Sequence, residues 1–283
     1  MRPYVFIQPV YKKTMQLSSQ KLIYFSPTQT TQKVLGAIAE GTGITQTDHL
    51  NLTPPAATTD GITEINHELA IIGVPVYGGR VPLDAVKRLE QIKGHQSPAI
   101  IIVVYGNREF EDALLELRDI TTAAGFIPVA AGAFIGEHSF ASETMPVANG
   151  RPDADDLEKA RKFGLMIREK LDQMQTLNSG TPLQVPGNTP YKERTTRSGI
   201  SPVSKEALCT LCGTCADVCP TAAITVGEVI ETDKKSCIIC CACVKNCPSG
   251  ARVMEDPAIQ KVTDWLHTNF SQYKNPELFW DRF

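Results

Sequence analysis

The chain has 283 residues, of which 42% are hydrophobic and 21% are charged, and its formal net charge at pH 7 is −3. This length suits one full-sized domain plus a small one. No apolar run approaches the ~20 residues that a membrane span needs, and the N-terminus has no convincing signal-peptide pattern. Because the charge is near neutral and no long basic run occurs, nucleic acid is not an expected partner.

From residue 21 to residue 175, short apolar runs rich in β-branched residues alternate with segments of helical length. Such alternation predicts a parallel sheet with helices on both faces, and therefore an α/β fold. The predicted strands, of which the second is the weakest, are 21–25, 44–50, 69–74, 99–104 and 126–131. The predicted helices are 30–42, 82–93, 109–124 and 152–175.

A loop rich in hydroxyl groups follows the first strand and leads into the first helix, between Ser26 and Thr31. Backbone N–H groups and hydroxyls at a helix N-terminus favour an anion, because the donors and the helix dipole both attract negative charge. The loop lacks the Gly-Lys pair that grips a triphosphate, so a monophosphate is the better expectation. An ordinary Ser/Thr-rich helix cap is the alternative.

Two further loops combine an aromatic residue with glycine at a strand end, where open α/β sheets bind ligands. They span Pro75 to Pro82 and Tyr105 to Phe110. With the hydroxyl-rich loop, they resemble a flavodoxin-like, FMN-binding domain, which implies a five-stranded, doubly wound sheet of order 2-1-3-4-5. The resemblance implies that the FMN phosphate is held by Ser26, Thr28, Gln29, Thr30 and Thr31. It implies that the isoalloxazine ring is bordered by Val76, Tyr77, Gly78, Tyr105, Gly106, Asn107 and Phe110.

Four residues at or near this predicted site have alternative interpretations. Gln29 stands where the family usually has glycine, and a side chain is penalised there if the backbone φ is positive, which would weaken FMN binding. Tyr77 and Tyr105 have a simpler interpretation as strand-end aromatics. His138 follows the fifth strand and can reach the same face, although a structural or surface role is favoured for it.

Residues 176–202 are rich in Gly, Pro, Ser and Thr and predict an extended, semi-rigid linker. Its basic residues, Lys192, Arg194 and Arg197, are expected to be solvated, with an acidic surface as the alternative.

Two similar cysteine runs follow within residues 203–255, and the last cysteine of each run precedes a proline. This spacing is typical of two 4Fe–4S clusters, because three thiolates of a run bind one cluster and the fourth binds the other. On that rule, cluster one takes Cys209, Cys212, Cys215 and Cys247. Cluster two takes Cys219, Cys237, Cys240 and Cys243. Structural zinc, or a disulfide framework, is the alternative, but zinc modules usually pair two knuckles separated by a dozen or more residues.

The ninth cysteine, Cys241, is expected to be a buried packing residue, with a redox role as the alternative.

The two runs form an internal repeat, and residues 203–255 resemble the small α+β domain of bacterial two-cluster ferredoxins. Free thiolates and oxygen-sensitive clusters belong in a reducing compartment, so we expect a cytoplasmic protein.

Residues 256–283 predict one helix, at 257–270, and an aromatic tail that folds back on its own protein. From residue 21 onwards, the chain resembles the flavodoxin–ferredoxin fusion proteins of anaerobes, often called EFR-type ferredoxins. Residues 1–20 fall outside this resemblance and are expected to be an extension, with Met15 as an alternative start.

Two cofactor types beside each other predict an electron-transfer protein that relays electrons between external redox proteins, two 4Fe–4S clusters and FMN. No acid/base set is visible, so no catalytic residue is predicted. An FMN-dependent oxidoreductase acting on a small molecule or quinone, with the clusters as its electron feed, is the main alternative. A cluster-based sensor or scaffold with an empty flavin site is the third. Flavodoxin-like chains often dimerise, so a homodimer is also open.

Overall fold

The structure is a computed structural model and describes residues 17–57, 61–174, 177, 181–195 and 199–280. The alternative start Met15 and the linker residue Arg197 lie outside the described residues. Within the described part of the chain, no helix combines the length and the apolar character needed to cross a membrane.

The N-terminal domain alternates strands and helices as predicted. Its elements are β1 (Ser19–Tyr24), α1 (Thr30–Thr42), β2 (Gln46–Asn51), β3 (Thr63–Glu64), β4 (Leu69–Pro75), α2 (Leu83–Leu89), β5 (Ile92–Lys93), β6 (Pro98–Tyr105), α3 (Ala113–Ala123), β7 (Ile127–Ile135) and α4 (Ala154–Gln173). The short strands β3 and β5 pair with each other outside the main sheet.

The five long strands are parallel and lie in the spatial order β2-β1-β4-β6-β7. Counted along the chain, this order is 2-1-3-4-5, so the predicted flavodoxin-like fold class is confirmed. The central strands β4 and β6 are buried along almost their whole length, which explains their continuous apolar sequences. β1 begins at Ser19, slightly before the boundary at residue 21 that the sequence predicts.

Helices cover both faces of the sheet. α1 and α4 lie on one face with Leu35 and Phe163 in the core, while α2 and α3 lie on the other face. Two glycines let α1 and α4 approach closely, because a Cβ atom at Gly164 would lie 2.1 Å from the Ile38 carbonyl oxygen, and one at Gly41 would lie 2.0 Å from that of Arg161.

Residues 203–255, called the cysteine segment below, form short elements outside the main sheet. Its elements are β8 (Val203–Ser204), α5 (Thr214–Asp217), β9 (Ile224–Val226), β10 (Ile230–Thr232), α6 (Ala242–Lys245) and β11 (Arg252–Val253). β9 and β10 form an antiparallel hairpin, and β11 pairs with β8. The repeat is visible in the backbone, because matching places of both halves have positive φ, namely Leu211 and Ile239, Gly213 and Cys241, and Ala222 and Gly250.

The C-terminal residues return to the first domain. After α7 (Pro257–Asn269), β12 (Glu277–Trp280) pairs antiparallel with β7, and Trp280 lies 6.3 Å from Phe163, ring to ring. The sheet therefore has six strands and not the five predicted. The added strand supplies hydrogen-bond partners to the outer edge of β7, which would otherwise be an exposed sheet edge.

The linker is held against α3. The Lys192 backbone N–H donates a hydrogen bond of 2.6 Å to the Asp112 carboxylate, and the Lys192 ammonium group pairs with Glu111. Arg194 pairs with Glu116, which is almost fully buried. The expectation of solvated basic residues is therefore wrong for Lys192 and Arg194, which meet an acidic surface.

Candidate functional site: two cysteine cavities beside a sheet edge

The cysteine segment encloses two cavities, and all nine cysteines of the chain are free thiols. Cavity one is lined by Cys209, Cys212, Cys215 and Cys247. Cavity two is lined by Cys219, Cys237, Cys240 and Cys243. The structure thus brings together the same two sets of four residues that the spacing rule predicts, although the metal ligands themselves stay a prediction. Cys241 also lines cavity two and is buried, as expected for a packing residue.

Positive φ angles shape both runs. Each run makes a sharp turn between its second and third cysteine, at Gly213 in the first half and Cys241 in the second. A one-turn helix, α5 or α6, then carries the third cysteine. Such turns in a short chain segment let three cysteines face one cavity, and the proline after the fourth cysteine ends the run.

A buried arginine lies between the two cavities. Arg252 is only 2% exposed, and its guanidinium group donates to the Pro202 carbonyl and to the hydroxyls of Ser204 and Thr232 at 2.9–3.0 Å. The group also lies 3.8 Å from Cys243 Sγ, while the side chain lines cavity one. Its Nε has no hydrogen-bond partner within the described ranges of the chain. Arg252 therefore places a positive charge beside both cysteine sets, and no local sequence pattern marks it for this role.

The predicted phosphate loop lies at the N-terminus of α1. Gln29 caps the helix with φ 65°, so the position does take the conformation that favours glycine. Ser26 Oγ accepts a hydrogen bond from the Gln32 N–H at 3.1 Å, which holds the loop together. Thr31 is fully buried, and among the described residues its hydroxyl has no partner. An unpartnered buried hydroxyl at a helix N-terminus fits an anion such as the phosphate of FMN.

The second loop that is predicted to border the isoalloxazine ring, from Tyr105 to Phe110, is mostly covered by protein. Tyr105 and Phe110 are buried in the core, with their rings 5.5 Å apart. The His138 ring lies over Gly106, where a Cβ atom would be 2.3 Å from His138 Cδ2. The Asn107 amide donates to two carbonyl oxygens of the C-terminal residues, those of Phe270 and Gln272. This loop is therefore packed against protein on both sides, by the His138 ring and by the C-terminal residues.

The first loop that is predicted to border the isoalloxazine ring, from Pro75 to Pro82, faces the cysteine segment. Val76 and Tyr77 are half-buried, and Gly78 is exposed with open space around it. Burial raises the pKa of the Tyr77 hydroxyl, and the nearby Cys240 and Cys241 thiols raise it further. Of the predicted ring residues, these three are the ones that remain available to a flavin, on the side where cavity two lies.

The cysteine segment is docked on the sheet edge through its second half. The Arg88 guanidinium group, buried at the end of α2, donates a 2.6 Å hydrogen bond to the Pro220 carbonyl oxygen. Ile238 packs against the core of the first domain. Lys245 of α6 pairs with Glu137, which follows β7. The sequence gives no signal for these contacts, because they join residues that are far apart along the chain.

Comparison with known families gives a match in the cysteine segment. A family model described as a 4Fe-4S binding domain matches residues 202–225, which include the first cysteine run. A comparison with curated proteins gives no match.

Solved structures resemble the first domain. Rubredoxin oxygen:oxidoreductase from the anaerobe Desulfovibrio gigas is 14% identical, and the match covers 56% of this chain and 37% of that one, with a TM-score of 0.40. A flavodoxin from the domain Archaea is 14% identical over 54% of this chain and 98% of its own, with a TM-score of 0.36. A Fusobacterium nucleatum flavodoxin bound to flavin mononucleotide is 16% identical over 55% and 99%, with a TM-score of 0.37.

Because these TM-scores are low, the fold assignment rests on the strand order of the sheet. The chain joins a flavodoxin-like α/β domain to a segment that matches the 4Fe-4S binding domain family, as in a flavodoxin–ferredoxin fusion.

Proposed function

We propose that this protein is an electron carrier that holds two 4Fe–4S clusters and one FMN and exchanges electrons with other redox proteins. The observation that carries the proposal is the gathering of eight cysteines around two cavities, one of which lies beside the ligand-binding edge of a flavodoxin-like sheet. Cys209, Cys212, Cys215 and Cys247 would hold one cluster. Cys219, Cys237, Cys240 and Cys243 would hold the other.

The residues proposed to hold FMN lie at the carboxyl edge of the sheet. Thr31 and the N-terminal turn of α1 would bind the phosphate, with Ser26 fixing the loop. Val76 and Tyr77 would line the ring on the side of cavity two. When bound there, FMN would exchange one or two electrons, whereas iron–sulfur clusters pass single electrons. The described residues thus support a role in converting between the two kinds of transfer.

The test is anaerobic purification followed by measurement of iron, acid-labile sulfide and flavin on one sample. We expect about eight irons, about eight sulfides and one FMN per chain, because each cluster contains four of each element. Zinc in place of iron, or iron without sulfide, would contradict the proposed clusters. Eight irons without flavin would favour a ferredoxin-like carrier or sensor with an empty flavin site.

The same preparation separates a carrier from an oxidoreductase. A carrier transfers electrons to protein acceptors without a specific small substrate. Steady turnover of NAD(P)H or a quinone that depends on FMN would instead favour the enzyme alternative.

The buried arginine gives a further prediction. Replacing Arg252 with glutamine removes the only charge that contacts both cysteine sets among the residues described around the two cavities. A nearby positive charge stabilises the reduced, more negative state of a cluster, so we expect the reduction potentials of both clusters to fall. An EPR-monitored redox titration of the full-length protein measures this shift.

Arg252→Lys is the matched control, because it keeps the charge but loses the planar fork of donors. Its potentials should lie between those of the wild type and those of Arg252→Gln. Unchanged potentials in an Arg252→Gln protein with a full iron content would contradict this role.

A further inference from the structure

The two cavities differ in how they are covered. Around cavity two, Pro220 is hydrogen-bonded to Arg88 and Ile238 packs against the core of the first domain. Of its four cysteines, Cys219, Cys240 and Cys243 are buried and Cys237 is partly exposed. The first domain therefore covers the side of the cysteine segment on which cavity two lies.

Cavity one lies toward solvent. Cys212 is exposed, Cys209 and Cys247 are partly exposed, and Cys215 is buried. Leu208 and Leu211, which flank Cys209 along the chain, are 51% and 42% exposed. Val229, next to the cavity-lining residue Ile230, is 44% exposed. Exposed large apolar side chains around a reactive centre are typical of a protein interaction site.

Arg252 is buried in the lining of this cavity, whereas the charged residues of the chain segment on its exposed side are acidic. From Glu206 to Glu231 the sequence contains four acidic residues and no lysine or arginine. Glu228 and Glu231 flank the exposed Val229, and Glu206 lies close to Leu208 along the chain. Apolar side chains with carboxylates at their rim complement a partner surface that is apolar at its centre and basic around it.

We propose that the surface formed by Glu206, Leu208, Leu211, Cys212 and the hairpin residues 228–231, called the port, is where a one-electron redox protein with a basic face docks. The proposal rests on the proposed function, because it assigns the port to the cluster of cavity one and leaves cavity two as the internal site that faces the flavin loop. At the port one electron crosses the interface, so that one protein is oxidised and the other reduced by one electron, and no bond is formed or broken.

Carbodiimide cross-linking of the full-length protein to mitochondrial cytochrome c tests the location of the port. Cytochrome c is a basic protein that accepts one electron, and the reagent joins a carboxylate to a lysine only where the two are in contact. We expect mass spectrometry to find cross-links at Glu206, Glu228 or Glu231, and we expect them to disappear at high salt because surface ion pairs are screened. Cross-links that fall mainly on α4, or between two copies of this chain, would overturn the proposal.

Stopped-flow reduction of cytochrome c by the pre-reduced protein gives a second measurement. We expect Glu206→Gln, Glu228→Gln and Glu231→Gln together to lower the bimolecular rate constant about fivefold to tenfold at low salt and to flatten its salt dependence. The control carries the same number of changes on exposed carboxylates of the first domain, at Glu90, Glu158 and Glu169. If the two triple variants lower the rate constant equally, the proposed location of the port is wrong.

Iron and sulfide are measured on every sample, which separates the two possible failures. A protein without iron and sulfide would refute the proposed function itself. If both clusters are present, but the cross-links lie away from the port residues and the rate constants do not change when those residues are replaced, then the proposed location of the port is wrong and the proposed function still stands.

Discussion

The Cys219→Ala protein is expected to lose the cluster of cavity two, although Cys219 belongs to the first cysteine run. Cys219 lines cavity two together with Cys237, Cys240 and Cys243, and it is buried there. The iron content should fall from about eight to about four per chain, because one four-iron cluster is lost. Iron and sulfide analysis, together with the EPR spectrum of the reduced protein, measures the change.

Two other substitutions identify which cluster is lost. Cys240→Ala removes a cysteine of cavity two, and Cys212→Ala removes one of cavity one. The EPR spectrum of Cys219→Ala should match that of Cys240→Ala. A match with Cys212→Ala instead would contradict the exchange of the fourth ligand between the two runs.

Cys241 provides the matched control, because it is also a buried cysteine that lines cavity two. Its φ is 56°, and the matching place in the first run is Gly213. Cys241→Gly therefore suits the backbone, and we expect the iron content to stay at about eight per chain. Loss of iron from this variant would make Cys241 a ligand candidate.

Removing the Thr31 hydroxyl is expected to weaken FMN binding without weakening the fold. Thr31→Val keeps the shape of the side chain, and the hydroxyl that it removes has no partner among the residues described. A hydrogen bond to a charged group contributes about 1.5–3 kcal/mol, so the Kd for FMN should rise about tenfold to a hundredfold. Fluorescence titration of the flavin-free protein gives the Kd, and urea unfolding gives the stability, which should not fall.

Thr42, at the other end of α1, is the control for this prediction. Its hydroxyl lies 2.8 Å from Gln20 Oε1 and 2.8 Å from the Ala39 carbonyl oxygen, and it accepts a hydrogen bond from the Ile44 N–H at 3.2 Å. Thr42→Val removes this donor and this acceptor from a buried site and should lower the free energy of unfolding by about 1–3 kcal/mol, with the FMN affinity unchanged. If Thr31→Val binds FMN as tightly as the wild type, the phosphate site is not at this loop.

Much of the fold could be predicted because its signals are local. α1 occupies 30–42, as predicted, since the hydroxyl-rich loop marks its start and an apolar face runs along it. The buried strands β4 and β6 are continuous apolar runs. β12 was missed as a strand, because the four residues of Glu277–Trp280 gain their hydrogen bonds only from the distant edge of β7.

The site was less predictable for the same reason. Cysteine spacing follows cluster chemistry closely, so the two cavities contain the predicted sets. The place of Tyr105 and Asn107 at a strand end predicts contact with the flavin ring, but sequence does not reveal which side of a loop becomes buried. The contacts of Asn107 with Phe270 and Gln272 depend on the path of the C-terminal residues. The same holds for Arg252, whose neighbours come from several separate strands.

The cysteine segment is inserted between two parts of the chain that belong to the same sheet. The linker is fastened to α3 through Lys192 and Arg194 before the cysteines begin, and β12 is fastened to β7 after they end. A nick in the linker would therefore leave the two halves joined through the sheet. A shortened form that ends before Glu277 would uncover the outer edge of β7 and favour pairing between copies through that edge.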